Sequence, residues 1–387
     1  MRTYSISALL ILILAALLLC SSVHAEDGSF SSNGTAGKYP MTFTDSADRN
    51  VTIQMPIERI IVLSTDAAEA VELMEAEDMI VGVSDTVQKY SWTFPNLKKK
   101  ALVGKWSAPD YETIGQIAKG NEDSITPNIL VLGYPSGKMA GKSYAVDAVE
   151  AGLKPFKNIS VAGFSFYKAD GLDEELRKLG QILNKEDKAQ EYIAWKSSKR
   201  EAIASAVKGE SLVKVYFESA QPKGLGELKS NGAGADIDRS IRLAGGINVF
   251  GSSKEETVTT DWETVIKENP DIIFQAKADD MMGWRAFPSS ETAAAQKARD
   301  EIMSRAGGSA VNAIKNDKIW ILYRKILYGP GSVVGATYMA KLMHPEADLD
   351  PEGAYKEYLD LLGVDYGGKD IRLSRTGERL GSYIFLR

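Results

Sequence analysis

Short apolar runs alternate with amphipathic stretches along most of the chain. Residues 60–63 (IIVL) have the pattern of a buried strand, and residues 66–77 follow with apolar positions at helical spacing. The same patterns predict further strands at 79–83, 129–132, 159–161, 214–217, 272–274 and 319–322, and helices at 111–118, 143–151, 236–244, 331–343 and 352–362. Strands that alternate with helices in this way predict parallel sheets covered by helices on both faces.

A long helical stretch separates two such α/β regions. Residues 171–208 contain no proline, and Gly180 is their only internal glycine. A continuous helix of this length would extend about 50 Å at 1.5 Å per residue. We predict a single rod that joins two lobes, with an N-terminal α/β lobe at 39–168, a linking helix at 169–208 and a C-terminal lobe at 209–362. A break near Asn184, giving two consecutive surface helices, is the alternative.

The two ends of the chain have separate patterns. Arg2 precedes an apolar run at residues 8–19 that is too short to cross a bilayer, and small residues around Ala25 offer a cleavage site. This pattern predicts a signal peptide at 1–25, an uncleaved anchor helix being the alternative. Residues 26–38 are rich in Gly, Ser and Asn and predict a flexible linker. Residues 363–387 form a C-terminal extension with no predicted role.

Charge and composition exclude several classes of function. The 387-residue chain has a formal charge of −6, so no basic field predicts nucleic-acid binding. Cleavage after Ala25 would remove Cys20, the only cysteine, and leave His344 as the only histidine. A zinc or manganese site built on several histidines is therefore excluded, and a Ser-His-Asp triad would have to use His344. A hydrolase that uses a pair of carboxylates and an envelope adhesion protein stay open as alternatives.

Four stretches, in order, carry a resemblance to a known family: residues 60–85, 241–250 (IRLAGGINVF), 261–274 (DWETVIKENPDIIF) and 328–346 (YGPGSVVGATYMAKLMHPE). With the long helix between them, the chain resembles the class III, helical-backbone substrate-binding proteins of ABC importers for iron–siderophore complexes, haem and cobalamin. The resemblance implies an α/β fold of two Rossmann-like lobes joined by a single long backbone helix, with the ligand cleft between the lobes.

The resemblance also implies partners and a location. Such a protein is not an enzyme and needs no cofactor; it is exported to the periplasm or the outer face of the cytoplasmic membrane. It acts as a monomer and delivers its solute to a permease driven by an ATPase. The family docks through one acid on each lobe, which implies Glu69 in the first lobe. In the second lobe Arg239 occupies the usual position, so Asp236 or Asp238 would have to substitute.

Candidate ligand contacts follow the predicted strands, because ligands of open α/β sheets bind beyond the carboxyl ends of strands. Aromatic side chains there suit a bulky ligand with apolar faces, and cationic ones suit carboxylate or phosphate groups on it. We predict ligand contacts by Thr65, Trp106, Tyr134, Lys138, Tyr167, Trp284, Arg285 and Tyr328. The hypothesis is a metal chelate, either an iron–siderophore complex, haem, or cobalamin or another corrinoid. Free ferric iron and another small anion are the alternatives.

Overall fold

The computed structural model describes residues 38–90, 94–119, 128–135, 141–157, 159–219, 225–277, 292–364 and 385–386. The predicted signal peptide and all of the predicted linker except Lys38 lie outside these residues. Within the part of the chain that the structure describes, no helix combines the length and apolar composition needed to span a membrane.

The N-terminal lobe is built on a five-stranded parallel sheet. Its strands are β1 (Met41–Thr44), β2 (Asn50–Ile53), β3 (Ile57–Val62), β4 (Ile80–Val83), β5 (Ala101–Leu102), β6 (Gly104–Lys105), β7 (Ala108–Pro109), β8 (Asn128–Gly133) and β9 (Ile159–Gly163), and its helices are α1 (Thr65–Leu73), α2 (Asp85–Lys89), α3 (Tyr111–Lys119) and α4 (Val146–Leu153). The sheet order is β5-β4-β3-β8-β9, with all neighbours parallel. The second half of β3 is continuously apolar, and Ile60, Ile61 and Val62 are fully buried between helices on the two faces.

Residues 171–208 form two helices, with the break near Asn184 that was the alternative to a continuous rod. Helix α5 (Leu172–Leu183) ends where Asn184 adopts a left-handed conformation, and α6 (Glu186–Ala206) begins two residues later. The ammonium of Lys196 lies 2.6 Å from a carboxylate oxygen of Asp173, so α6 folds back along α5. The helix that leads from one lobe to the other is therefore α6, whose 21 residues extend about 30 Å.

The two helices pack on each other and on the lobes through buried apolar side chains. Leu176 and Leu179 of α5 and Tyr192 of α6 are all fully buried. The two helices approach closely at Gly180, where an added Cβ would lie 3.0 Å from the Cβ of Ala189. The hydroxyl of Tyr192 donates a 2.6 Å hydrogen bond to the carbonyl of Pro330, which ties α6 to the C-terminal lobe.

The C-terminal lobe repeats the architecture with a second, separate sheet. Its strands are β10 (Val213–Glu218), β11 (Leu228–Asn231), β12 (Gly246–Asn248), β13 (Thr257–Thr260), β14 (Ile272–Lys277), β15 (Ile319–Tyr323) and β16 (Phe385–Leu386), and its helices are α7 (Asp236–Leu243), α8 (Trp262–Glu268), α9 (Thr292–Met303), α10 (Asn312–Lys315), α11 (Ser332–Met343) and α12 (Pro351–Leu361). The order is β12-β10-β14-β15-β16, parallel except for β16. The two sheets confirm the predicted two-lobed α/β fold.

Helix α11 packs closely against the segment that follows β15. A Cβ added at Gly335 would lie 2.1 Å from the carbonyl oxygen of Ile326, so only glycine permits this approach. The helix is almost entirely buried, which holds residues 324–328 against a rigid support. Because these residues follow a strand of the second sheet, α11 positions one side of the cleft described below.

Candidate functional site

A cavity of about 480 Å³ opens between the two lobes at the carboxyl ends of their sheets. Residues that follow β3, β4, β8 and β9 line one side, and the segment that follows β15 lines the other. The lining residues are Thr65, Asp66, Thr86, Tyr90, Trp106, Tyr134, Tyr144, Tyr167, Arg324, Lys325 and Tyr328. The volume lies within the range of about 300–1,000 Å³ that is typical of small-molecule sites.

The structure brings five of the predicted ligand contacts together in this cavity. They are Thr65, Trp106, Tyr134, Tyr167 and Tyr328. The other three, Lys138, Trp284 and Arg285, lie outside the described residues. The contact of all eight with a ligand stays a prediction.

Six residues that line the cavity are absent from the predicted ligand contacts. Thr86 and the pair Arg324 and Lys325 follow β4 and β15 closely, so the strand-end rule applied to every strand would have found them. Asp66 lies directly after the predicted Thr65. No local pattern indicates Tyr90 or Tyr144; Tyr144 reaches the cavity through a β-bridge between Tyr134 and Ala145.

Four rings form a continuous aromatic wall on the N-terminal lobe, consisting of Trp106, Tyr134, Tyr144 and Tyr167. Ring centroids are 5.0 Å apart for Trp106 and Tyr144, 6.1 Å for Tyr144 and Tyr134, and 6.0 Å for Tyr134 and Tyr167. The tyrosine pairs meet edge to face, an arrangement that aromatic quadrupoles favour. The Trp106 side is open, since this residue is 40% exposed. The wall therefore offers ring faces and hydroxyl groups to an incoming solute.

Two partly buried tyrosines of the cavity, Tyr134 and Tyr328, carry neutral phenols. Burial raises the pKa of the Tyr134 hydroxyl, and the nearby carboxylate of Asp66 raises it further. Burial also raises the pKa of Tyr328. A neutral phenol can donate a hydrogen bond to an anion, whereas a phenolate cannot.

The opposite side of the cavity is cationic. The ammonium of Lys325 lies 3.1 Å from an oxygen of Glu69 and 3.6 Å from one of Asp66, both on α1 of the other lobe. The Arg324 guanidinium lies 5.6 Å from the ring centroid of Tyr328. Arg324 is exposed and forms no ion pair among the described residues. Its charge is therefore available to an anionic group in the cavity.

The loop that carries Trp106 is held by one acidic side chain. A carboxylate oxygen of Asp85, at the start of α2, accepts a 2.7 Å hydrogen bond from the backbone N–H of Trp106. Asp85→Ala is expected to speed hydrogen exchange at the Trp106 amide by about tenfold, because a hydrogen bond to a charged group contributes about 1.5 kcal/mol or more. NMR-detected exchange would measure it. Asp85→Asn keeps an acceptor oxygen and should retain most of the protection; equal rates in wild type and Asp85→Ala would contradict the assignment.

Glu72 adds a buried carboxyl to the same face of α1 as Asp66 and Glu69. Burial raises the pKa of Glu72 well above its usual range, and repulsion by Glu77 and Glu69 adds to this while Lys325 opposes it. The folded state therefore binds a proton that the unfolded state releases, and stability falls as pH rises from about 4 towards the folded-state pKa.

Glu72→Gln is expected to remove this pH dependence. Glutamine resembles the neutral acid, so the variant should match wild type near pH 4 and become increasingly more stable than wild type towards pH 8. Urea denaturation midpoints at several pH values would measure the difference. Glu112→Gln, at an exposed position of α3, is the matched control and should show no such trend. A constant difference across the pH range would refute the interpretation.

The acids that the sequence analysis assigned to permease docking are engaged within the protein. Glu69 is 2% exposed and paired with Lys325. Asp238 is equally buried and accepts hydrogen bonds from Arg242 and Asn248. In this structure both carboxylates are buried and paired within the protein, and a docking role for these two acids stays a prediction.

The third predicted docking acid, Asp236, joins the lobes. One carboxylate oxygen accepts a 2.9 Å hydrogen bond from the N–H of Ala169, and the other pairs with Arg239. Arg239 in turn lies 3.0 Å from Asp170, so both residues face the segment that precedes α5. A docking role for Asp236 stays a prediction.

His344 is the C-cap residue of α11 and is buried against Gly245. It does not line the cavity. Among the described residues, no three His, Cys, Asp or Glu side chains converge in a way that could hold a metal ion.

Comparisons with known proteins agree with this geometry. Residues 122–324, more than half of the chain, match the family described as periplasmic binding protein. The molybdate-binding protein MolA of Haemophilus influenzae is 22% identical over 348 residues, covering 86% of this chain and 91% of MolA. Its molybdate-bound structure aligns over 83% of this chain and 97% of its own, with a TM-score of 0.61 and 18% identity.

Two further structures share the fold. The TroA-like periplasmic binding protein FepB from Veillonella parvula aligns with a TM-score of 0.62 and 19% identity over 83% of this chain and 95% of its own. A protein of an ABC-type Fe³⁺-hydroxamate transport system from Saccharomonospora viridis aligns with a TM-score of 0.56 and 21% identity over 79% and 99%. The two lobes, the cleft between them and the family match lead to one conclusion: the chain belongs to the periplasmic binding protein family of ABC importers.

Proposed function

We propose that this protein captures an anionic metal chelate between its lobes and delivers it to an ABC permease, without catalysing a reaction. The observation that carries the proposal is the pairing of the aromatic wall on one lobe with Arg324 and Lys325 on the other. A chelate with apolar ligand faces and a net negative charge fits both sides at once.

Several properties of the cavity support a chelate over a bare ion. A cavity of about 480 Å³ suits a solute of chelate size. The hydroxyls of Tyr134 and Tyr328, whose pKa values burial raises, can donate hydrogen bonds to an anionic solute. The hydroxyls of Thr65 and Thr86 add further donors. Direct coordination of free ferric iron by tyrosines is therefore the less favoured alternative.

A tetrahedral oxyanion is the second candidate. It is supported by the similarity to MolA, whose name describes molybdate binding, and by the exposed guanidinium of Arg324. Hydroxyl donors and a cation are sufficient for such a ligand. The aromatic wall, however, would have no partner, which makes this candidate second to the chelate.

The location and partners follow from the family. Periplasmic binding proteins act outside the cytoplasm and work with an ABC permease. We propose that the protein is exported with cleavage of residues 1–25 and acts as a monomer. It docks on the permease while the ligand occupies the cleft between its lobes.

A titration with defined probes tests the ligand class. The probes are iron(III) tricatecholate, ferric citrate, haemin, cyanocobalamin, a neutral ferric trihydroxamate, and sodium molybdate with sodium sulfate for comparison. Calorimetry and the fluorescence of the six tryptophans would report binding. Saturable binding of an anionic chelate, with a rise in melting temperature as a native-state ligand requires, is expected.

The other outcomes are also decisive. Binding of molybdate alone would replace the chelate by the oxyanion. Tight binding of the neutral chelates with no binding of the anionic ones would contradict the role of the cationic side. Failure of every probe to bind would overturn the proposed ligand class, and hydrolysis of glycosides or esters would support the hydrolase alternative instead.

A further inference from the structure

Lys325 takes part both in the cavity and in a contact between the lobes. It lines the cavity, and it pairs across the lobe boundary with Glu69 and Asp66 of α1. The side chains are largely buried, with 13% of Lys325 and 3% of Glu69 exposed, so solvent and salt screen this ion pair weakly. The same ammonium group is therefore within reach of the opposite lobe and of the solute space.

Lys325 is one cation that faces three acidic residues of α1. Asp66, Glu69 and Glu72 follow each other at intervals of three residues, which places them on one face of α1. Lys325 interacts with all three, by ion pairs with the first two and at longer range with Glu72. Glu69 competes for this ammonium from the interior, and an anion in the cavity would compete for it from the solvent side.

We infer that Glu69 sets the affinity of the site by competing with the anionic ligand for the ammonium of Lys325. This inference rests on the proposed function. A bound anion draws Lys325 towards the cavity and weakens its pair with Glu69, so ligand binding and this contact between the lobes oppose each other. Because such coupling is reciprocal, loss of the Glu69 carboxylate raises the affinity for the anion.

Other contacts keep the lobes together when this pair weakens. The N–H of Gly329 donates to the carbonyl of Tyr167, and the N–H of Ala169 donates to Asp236. The pair of Arg239 and Asp170 adds a third link. When Lys325 changes its partner from Glu69 to the ligand, the cavity is therefore altered but the lobes stay together. Glu69 is a positioning residue that acts through Lys325.

Glu69→Gln tests the inference by the direction of its effect. The variant should bind iron(III) tricatecholate at least about fivefold more tightly than wild type, since coupling between sites is commonly fivefold or more. Lys325→Gln should bind it more weakly, and the double variant should match Lys325→Gln because the competition needs the ammonium. Affinity for the neutral ferric trihydroxamate should not change with Glu69→Gln.

Asp173→Asn is the matched control. It makes the same charge change at another lysine partner, Lys196, that does not line the cavity. Its affinity for the tricatecholate should equal that of wild type. Unchanged or weaker binding by Glu69→Gln, with a native circular dichroism spectrum, would overturn the inference, because competition for Lys325 requires binding to strengthen when the carboxylate is lost.

A second measurement separates this inference from the proposed function. If wild type binds none of the anionic probes, the proposed ligand class has failed, and the ion pair is then tested without ligand. Hydrogen exchange across Arg324–Tyr328 should be faster in Glu69→Gln than in wild type, and unchanged in Asp173→Asn. Equal exchange in all three proteins would refute the contact between the lobes itself.

Discussion

Replacing Arg305 by methionine is expected to lower the free energy of unfolding by about 3–5 kcal/mol, because it leaves the buried carboxylate of Glu218 without its cation. The two side chains are 1% and 0% exposed. Both terminal nitrogens of Arg305 donate to the carboxylate, at 2.8 and 3.1 Å. Tyr216 and Gln275 supply its remaining donors, and the guanidinium lies 4.9 Å from the ring centroid of Trp262.

Urea unfolding followed by tryptophan fluorescence would measure this loss. The double variant Glu218→Gln with Arg305→Met should recover part of it, because removing both charges abolishes the uncompensated carboxylate. Lys356→Met removes the cation of the exposed pair with Asp360 and should cost less than about 1 kcal/mol. A loss in Arg305→Met as small as that of this control would show that Glu218 is not held as a buried anion.

Replacing Arg324 by glutamine is expected to weaken the binding of an anionic chelate by roughly 10- to 100-fold. A hydrogen bond to a charged group contributes about 1.5–3 kcal/mol, and the guanidinium can donate two such bonds to one acid group. Arg324 is the better target than Lys325, because Lys325 is engaged by Glu69 and Asp66. Stability should change little, since Arg324 is exposed.

Calorimetric titration with the anionic probe that wild type binds most tightly would measure the effect. Arg324→Lys should give an intermediate affinity, because the ammonium keeps the charge but not the paired donors of the guanidinium. Arg200→Gln makes the same charge change at an exposed position of α6 and should leave the affinity unchanged. If Arg324→Gln bound the probe with wild-type affinity, the cationic side of the cavity would not be part of the binding site.

The amino-acid pattern alone was sufficient to predict the class of fold. A parallel strand covered on both faces must be continuously apolar, and the run at Ile60–Val62 shows this locally. Four ordered motifs then indicated the family. The strand-end rule located Thr65, Tyr134, Tyr167 and Tyr328, because parallel topology places the carboxyl ends of the strands at one edge of each sheet and both edges border the cavity.

Tertiary structure alone decided the features that depend on contacts between distant segments. Residues 171–208 contain no proline and one internal glycine, so only the pair of Asp173 and Lys196 decides between a continuous rod and the reversal at Asn184. Glu69 has the local sequence of an exposed helical acid, yet Lys325, more than 250 residues later, covers and neutralises it. Burial and charge pairing of this kind arise between segments that are distant in the sequence, where no local pattern of residues encodes them.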